Sequence, residues 1–384
     1  KKVEDARNEI KNDLKIIWTG KDYEDLIASA DSSIPIIDVN EQDIAQIYYT
    51  SGTTGRPKGV ILSHKNVYYH ALCTIDELAL NKSDIWLHAA PLFHLADAWA
   101  TWAITIVGGT HVLVSDFKPS NVCSCIENNR VTLTNLVPTM YYRLVNYPRV
   151  EKHDYSSLRL LMSGGAPISP SLVEKIIDTF KCDYIQTYGM TETSPFLTMS
   201  ILKNYLRNLP YKEQLQYKST TGRKFKGVEL RVINENDEDV KNNNKEVGEI
   251  IVKGDSITKG YWKLPKETEK VFKNGWLYTG DMAVINKDGY VNIVDRKDDM
   301  IITGGENVYS IEVENVLYTH PAVLETAVIG VLDEEWGEIV KAIVVLKDGK
   351  NTTQSDIIKF CKERISAYKV PKFVEFRKCL PKLG

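Results

Sequence analysis

Tyr48-Tyr49-Thr50-Ser51-Gly52-Thr53-Thr54-Gly55-Arg56-Pro57-Lys58-Gly59-Val60 is the stretch on which the reading of this chain turns. It holds three glycines, four Ser/Thr hydroxyls and one lysine, and the apolar Ile44, Ala45 and Ile47 lead into it. Glycines let a backbone turn tightly and approach a ligand closely. Consecutive N–H groups, hydroxyls and the Lys58 ammonium gathered in one loop suit a polyphosphate. The ordinary P-loop, G-x-x-x-x-G-K-[ST], does not fit. Its lysine opens a helix, whereas Pro57 and Gly59 flank Lys58 here. A flexible Ser/Thr/Gly linker is the bland alternative. Arg56-Pro57-Lys58-Gly59 running straight into Val60-Ile61-Leu62 speaks against it.

The chain has 384 residues, 43% hydrophobic and 26% charged, which suits a globular protein of two or three domains. A net charge of -3 leaves no nucleic-acid footprint, so no nucleic-acid partner is expected. The apolar runs are far shorter than a membrane span. Lys1 to Lys15 is charged throughout and does not read as a secretory signal. The six cysteines are scattered: Cys123-Ser124-Cys125 is the one close pair, and no second pair completes a zinc site. Reduced, structural thiols and a cytoplasmic location are expected. No amphipathic anchor stands out, and peripheral membrane association and oligomeric state stay open.

Residues 41 to 200 alternate apolar runs with helical patterns, which reads as α/β. Ile104–Val107, His111–Val114, Val131–Val137, Leu158–Met162 and Cys182–Gln186 read as strands. Ser169-Pro170 opens a helix whose Leu172, Val173, Ile176, Ile177 and Phe180 share one face. Near Thr220 the pattern changes to short strands divided by Asn, Asp and Gly turns: Val228–Ile233, Val247–Val252 and Tyr290–Val294. A small barrel or antiparallel layer is expected there, with Asn234 to Lys245 as a solvated loop. After Asp295-Arg296-Lys297-Asp298-Asp299 comes a compact α+β unit. Its expected order is strand 300–302, a turn at Gly304-Gly305, helix 310–319, strands 325–331 and 341–346, and helix 355–366.

Four further segments settle the reading. They are Ser163-Gly164-Gly165-Ala166-Pro167, Gln186-Thr187-Tyr188-Gly189-Met190-Thr191-Glu192, Tyr278-Thr279-Gly280-Asp281, and Asp295-Arg296-Lys297-Asp298 running on to Gly304-Gly305-Glu306-Asn307-Val308. With the glycine-rich stretch they resemble the adenylate-forming (AMP-binding) superfamily of acyl-CoA synthetases, luciferases and peptide-synthetase adenylation domains. Pro91-Leu92-Phe93-His94 and the Gly-Gly-Glu-Asn-Val-Tyr-Ser run resemble the fatty-acid type of acyl-CoA ligase. The resemblance implies an α/β fold with a large N-terminal domain, residues 1–297, of α/β layers plus a small β-barrel-like part at about 220–297. A small mobile α+β C-terminal domain, 298–384, would follow.

The activity implied is ATP-dependent activation of a carboxylic acid, a medium- to long-chain fatty acid in the first reading, through acyl-AMP. Thioester formation with coenzyme A would follow. Ligases for aromatic or short-chain acids are the runner-up, and a non-catalytic relative that binds nucleotide or acyl-AMP is a reading from another class. The attacking carboxylate is already an anion, so the obstacle is charge rather than basicity. The resemblance assigns Thr50, Ser51, Gly52, Thr53, Thr54, Gly55 and Lys58 to the β- and γ-phosphates. A lysine about 4 Å from one phosphate charge is worth roughly 4 kcal/mol at an effective dielectric near 20. Glu192 would hold Mg²⁺ and Thr191 would donate to the α-phosphate. Tyr188 would stack on adenine, beside Gly189, with Gly164, Gly165 and Ala166 leaving room for base and acyl carbonyl. Asp281 and Arg296 would bind the ribose. Asp298 would be the hinge between half-reactions, and Gly304 and Gly305 would line the coenzyme A path. His94 would sit at the acid pocket, though a lone histidine is often a packed core residue; Leu92, Phe93, Trp99 and Trp102 would add apolar area there or equally be core.

The family's adenylation lysine lies in a Pro-Lys-x-x-x-Gly-Lys segment. Here Pro381-Lys382-Leu383-Gly384 matches only its beginning, and about 48 residues precede the glycine-rich stretch, fewer than relatives carry. The expectation is a piece of a longer ligase, impaired in adenylation.

Overall fold

The chain from Ile44 folds as an antiparallel hairpin, β1 (Ile44–Thr50) against β2 (Lys58–Ser63), with Thr50 opposite Lys58. Ser51 to Gly55, the tip, lies outside the residues that the computed structural model describes, which are 16–33, 36–50 and 56–381. The chain forms two units, 1–40 and 41–384. The first contains helix α1 (Lys21–Ser29), none of whose residues is buried. All that follows concerns the second.

Ser63 caps the next helix, α2 (His64–Glu77). Its hydroxyl accepts from the Asn66 backbone N–H while the Asn66 side chain accepts from the Ser63 N–H. Five parallel strands come next in space: β3 (Ile85–His88), β4 (Thr110–Leu113), β5 (Leu133–Leu136), β6 (Leu160–Ser163) and β7 (Asp183–Gly189), in the order β4-β3-β5-β6-β7. Both faces are covered. Trp86 packs with α2 and with helices α3 (Leu95–Ala98) and α4 (Ala100–Ile106), while its neighbour Leu87 belongs to the opposite core. That opposite core takes α5 (Pro119–Asn129), α6 (Pro138–Val145) and α7 (Pro170–Phe180). The crossover after β3 therefore covers one face and the later ones the other. The strand order reverses between β3 and β5. In open α/β sheets that reversal opens a crevice at the carboxyl ends of the strands, where ligands bind.

Ile104–Val107 is not a strand. Ala100, Ala103 and Ile104 fall on one helical face, fully buried around Trp86, and this packing overrides the β-branched run.

Strand β7 pairs in parallel with β6 on one edge and antiparallel with β8 (Phe196–Met199) on the other. After α8 (Tyr211–Lys218) the sheet continues through β9 (Gly222–Lys224), β10 (Val228–Ile233) and β11 (Gly248–Gly254). Helix α9 (Pro265–Val271) precedes β12 (Phe272–Lys273), β13 (Trp276–Ile285) and β14 (Tyr290–Arg296). The path from the seam is β7-β8-β9-β14-β13-β11-β10, with β12 on β13, so the antiparallel strands extend the parallel sheet.

Beyond β14 a third sheet holds β15 (Ile301–Thr303), β16 (Glu306–Val308), β17 (Val323–Asp333), β18 (Gly337–Leu346) and β19 (Phe373–Phe376). Helices α10 (Ser310–Tyr318) and α11 (Gln354–Lys362) share its core through Val313, Leu317, Ile357 and Cys361. The short strand β16, unforeseen from sequence, pairs with β15 across Gly304-Gly305. Among the described residues no helix is long and apolar enough to cross a membrane.

Candidate active site

Four connections leave the carboxyl ends of β3, β5, β6 and β7 at one edge of the sheet. They carry the Pro91–His94 loop, Val137, Gly164-Gly165-Ala166, and Met190-Thr191-Glu192. His94 is exposed and caps α3, its Nδ1 accepting from the Ala96 N–H at 3.2 Å. It is not a core residue. Phe93 beside it is 78% exposed, whereas Trp99, expected near the pocket, is buried against Trp86 and Phe196. Gly164 and Gly189 are required by close approach. A Cβ on Gly164 would lie 2.5 Å from Thr187 Oγ1, and one on Gly189 only 1.8 Å from the Pro195 carbonyl. Gln186 Nε2 donates to the Ala166 carbonyl at 2.9 Å and holds that turn against β7.

The hairpin β1–β2 docks on the segment after β11. Ile61 N–H donates to the Gly260 carbonyl at 3.1 Å and Trp262 N–H to that of Gly59 at 2.7 Å. This docking brings Lys58, Tyr261 and Glu192 together. Lys58 Nζ lies 5.4 Å from the Tyr261 ring centroid, and the Tyr261 hydroxyl donates to Glu192 Oε1 at 2.8 Å. The Glu192 backbone carbonyl accepts from the Thr258 N–H at 2.8 Å. Lys58 also pairs with Glu267 at 2.9 Å. Lys270 first, then Lys58, hold the Glu267 carboxyl down at about 2. Thr50 Oγ1 donates to the Lys58 carbonyl at 3.4 Å. Ser51, Gly52, Thr53, Thr54 and Gly55 lie outside the described residues.

On the far side of β7 the Tyr188 hydroxyl donates to Asp281 Oδ2 at 2.6 Å, and Arg296 Nε lies 3.1 Å from Oδ1. Asp281 and Arg296 are opposite each other in the β13–β14 register. Burial raises the Asp281 carboxyl above its ordinary 3.8, with Arg296 and Tyr188 opposing that rise, and burial raises the Tyr188 phenol. Glu249 braces the turn: Oε1 accepts from the Gly280 N–H at 3.1 Å and Oε2 from Lys297 Nζ at 2.9 Å. Asp298 is exposed just past β14. Asp295 reaches across to α10, accepting from the Ser310 hydroxyl at 3.0 Å. Gly304 and Gly305 both have positive φ. A Cβ on Gly304 would meet the Trp336 ring at 2.7 Å, whereas Gly305 faces open space.

Tyr261, Glu267 and Glu249 were not singled out from sequence. Gly260-Tyr261-Trp262, an aromatic pair behind a glycine, was the available signal for the first. The donor set fits the groups that a nucleotide triphosphate brings. Glu192 is 6% exposed, and no donor among the described residues reaches its Oε2. Those residues contain no cluster of three or more His, Cys, Asp or Glu able to cage a metal by themselves. One carboxylate completed by phosphate oxygens and water is how Mg²⁺ is commonly held.

A parallel sheet whose last strand leads to a buried carboxylate, Glu192, bonded to a tyrosine that lies under Lys58, and beside it a tyrosine–aspartate–arginine cluster, is the arrangement of a nucleotide-dependent enzyme. The AMP-binding enzyme family matches residues 2–262, and the AMP-binding enzyme C-terminal domain matches 312–384. The chain is 40% identical over 357 residues to a feruloyl-CoA synthase of Amycolatopsis sp, covering 93% of this chain and 70% of that one. It is 36% identical over 345 residues to 4-hydroxybutyrate–CoA ligase 2 of Metallosphaera sedula, covering 89% of this chain and 62% of the relative. The o-succinylbenzoate coenzyme A synthetase of Bacillus subtilis, solved with ATP and magnesium ion, superposes with a TM-score of 0.81 at 32% identity. That match covers 94% of this chain and 74% of the other. The chain belongs to the AMP-binding enzymes, and its activity is that of an adenylate-forming acid–CoA ligase using ATP, Mg²⁺ and coenzyme A.

Proposed function

We propose that the acid activated is compact, an aromatic or short-chain carboxylic acid, rather than a medium- to long-chain fatty acid. The relatives named for feruloyl and 4-hydroxybutyrate substrates support this. So does the burial of Trp99, which removes one expected source of apolar lining.

In the first half-reaction a carboxylate oxygen forms a bond to the α-phosphorus of ATP, the Pα–O–Pβ bond breaks, and pyrophosphate leaves with the electron pair. Lys58 and the adjoining loop neutralise the approaching charges, and Thr191 orients the α-phosphate. Glu192, oriented by Tyr261, would hold Mg²⁺, whose charge would screen the phosphates. Asp281 accepts from the ribose hydroxyls, and Tyr188 both flanks the base and fixes the Asp281 carboxylate. In the second half-reaction the coenzyme A sulfur bonds to the acyl carbon, the bond to AMP breaks, and the thiol proton passes to solvent. Rotation about Asp298 brings Gly304-Gly305 to the site for this step, with 1–297 and 298–384 as the moving parts.

The observation carrying the ligase reading is Glu192, buried and aligned by Tyr261, over whose ring Lys58 lies. Pyrophosphate release and thioester formation, measured with ferulate, butyrate and dodecanoate with and without Mg²⁺, test it. Preference for dodecanoate restores the long-chain reading, and no release with any acid leaves the non-catalytic one.

A further inference from the structure

A polar chain runs through the core directly behind the Pro91–His94 loop. Asp97, in α3, is fully buried. Its Oδ1 accepts from Trp86 Nε1 at 2.9 Å and its Oδ2 faces His88 Nδ1 at 3.1 Å. His88 Nε2 meets His111 Nδ1 at 2.9 Å, and His111 Nε2 meets the Thr105 hydroxyl at 3.0 Å, at the surface. Every group is satisfied by one set of tautomers. Thr105 donates to His111 Nε2, His111 Nδ1–H to His88 Nε2, and His88 Nδ1–H to an ionised Asp97.

A carboxylate in a core of Trp86, Leu95, Ala98 and Trp99 is costly, and an apolar side chain would pack there at no such cost. What the carboxylate supplies is direction. Trp86 and His88 alternate onto one face of β3, and together they fix the rotation of α3 about its axis. His94 is the N-cap of that helix, and the Asp97 N–H donates back to the His94 carbonyl at 3.2 Å. A second tie reaches the same helix from β5, where Asn135 Nδ2 donates to the Ala96 carbonyl at 2.5 Å. The amide orientation is forced, since the reverse would set oxygen against oxygen.

We infer that Asp97 is a positioning residue for the acid pocket, which through α3 holds the His94 loop at the carboxyl ends of β3 and β5. This rests on the reading of His94 as lying at the acid pocket. It predicts separate behaviour for the acyl and nucleotide parts of one ligand. In Asp97→Asn the tautomers reverse: the amide donates to His88 Nδ1, His88 Nε2–H to His111, and His111 Nε2–H to Thr105, so the tie survives. In Asp97→Ala it is lost.

Calorimetric binding of AMP and of feruloyl- and butyryl-sulfamoyl adenosine to the full chain tests the inference. The affinity gained over AMP by the better acyl probe should fall about tenfold in Asp97→Ala, while AMP affinity moves less than about twofold. Asp97→Asn should restore the gain. Should the alanine variant not fold, Trp86→Phe, which removes one donor to Asp97, should lower the gain about threefold with AMP unchanged. A gain that is unaltered, or AMP and acyl affinities that fall together in the folded variants, overturns the inference. Failure of the parent chain to bind AMP would instead overturn the nucleotide site.

Discussion

Lys58 Nζ and Glu267 Oε2 lie 2.9 Å apart, so the lysine of the glycine-rich stretch already has an anionic partner. A polyphosphate must share or displace that partner. Both side chains are partly exposed, so their attraction is weak and screened by salt. Glu267→Gln should therefore bind ATP roughly threefold more tightly at low salt, with AMP unaffected, since AMP lacks the β- and γ-phosphates. Equal ATP affinities in titration calorimetry would place the phosphates elsewhere.

Glu267, held by Lys270 first and then by Lys58, has a pH signature. Glu267 titrates at about 2 when folded against an ordinary 4.5, so ionised Glu267 favours the folded chain. Its stabilisation is complete above 4.5 and is lost as pH falls from there through about 2. The melting-temperature difference between the parent chain and Glu267→Gln should be constant near neutrality and shrink across that window.

Removing the Tyr188 hydroxyl takes one of two partners from a buried carboxylate. Tyr188→Phe should keep the fold, since the ring remains, and weaken AMP binding by about 1 kcal/mol, roughly fivefold. It should also raise the Asp281 carboxyl further, because that hydrogen bond opposes the rise burial causes. AMP binding, which on the proposed role of Asp281 needs the carboxylate, should then fail at a higher pH on acidification than in the parent chain. An identical pH profile would detach Tyr188 from Asp281.

Gly189→Ala sets a Cβ 1.8 Å from the Pro195 backbone carbonyl, where no side chain can give way. The β7–β8 pairing must shift, at a cost of about 3 kcal/mol or more, read by thermal denaturation. A melting temperature within a degree or so of the parent would contradict that contact.

Gly305 has φ +83 with open space before it, so a leucine side chain there would protrude rather than clash. Gly305→Leu should leave acyl-AMP formation intact and slow thioester formation at least about tenfold. Loss of both half-reactions, or of neither, would remove Gly305 from the coenzyme A path.

Regular strands were legible because their apolar runs are local. Val228–Ile233 was read to the residue as β10, and Ser169-Pro170 opens α7 as its capping chemistry requires. The order of residues within the site was legible only through the family resemblance. Pairings set by the tertiary fold were not legible: nothing near Lys58 in sequence points to Glu267, and Tyr261 meets Glu192 across 69 residues. Ile104–Val107 misled for the same reason, since Trp86, not the local run, decides its conformation.

The pairing of Tyr188 with Asp281 spans 93 residues, and Arg296 lies further on still. During synthesis a nascent chain released as far as Gly189 can form its five parallel strands, yet Tyr188, next to the end of the fifth, has no carboxylate to meet. On the proposed roles of Asp281 and Arg296, the nucleotide pocket is complete only when β13 and β14 emerge. ATP can act as a folding ligand for the finished chain, but not for that intermediate.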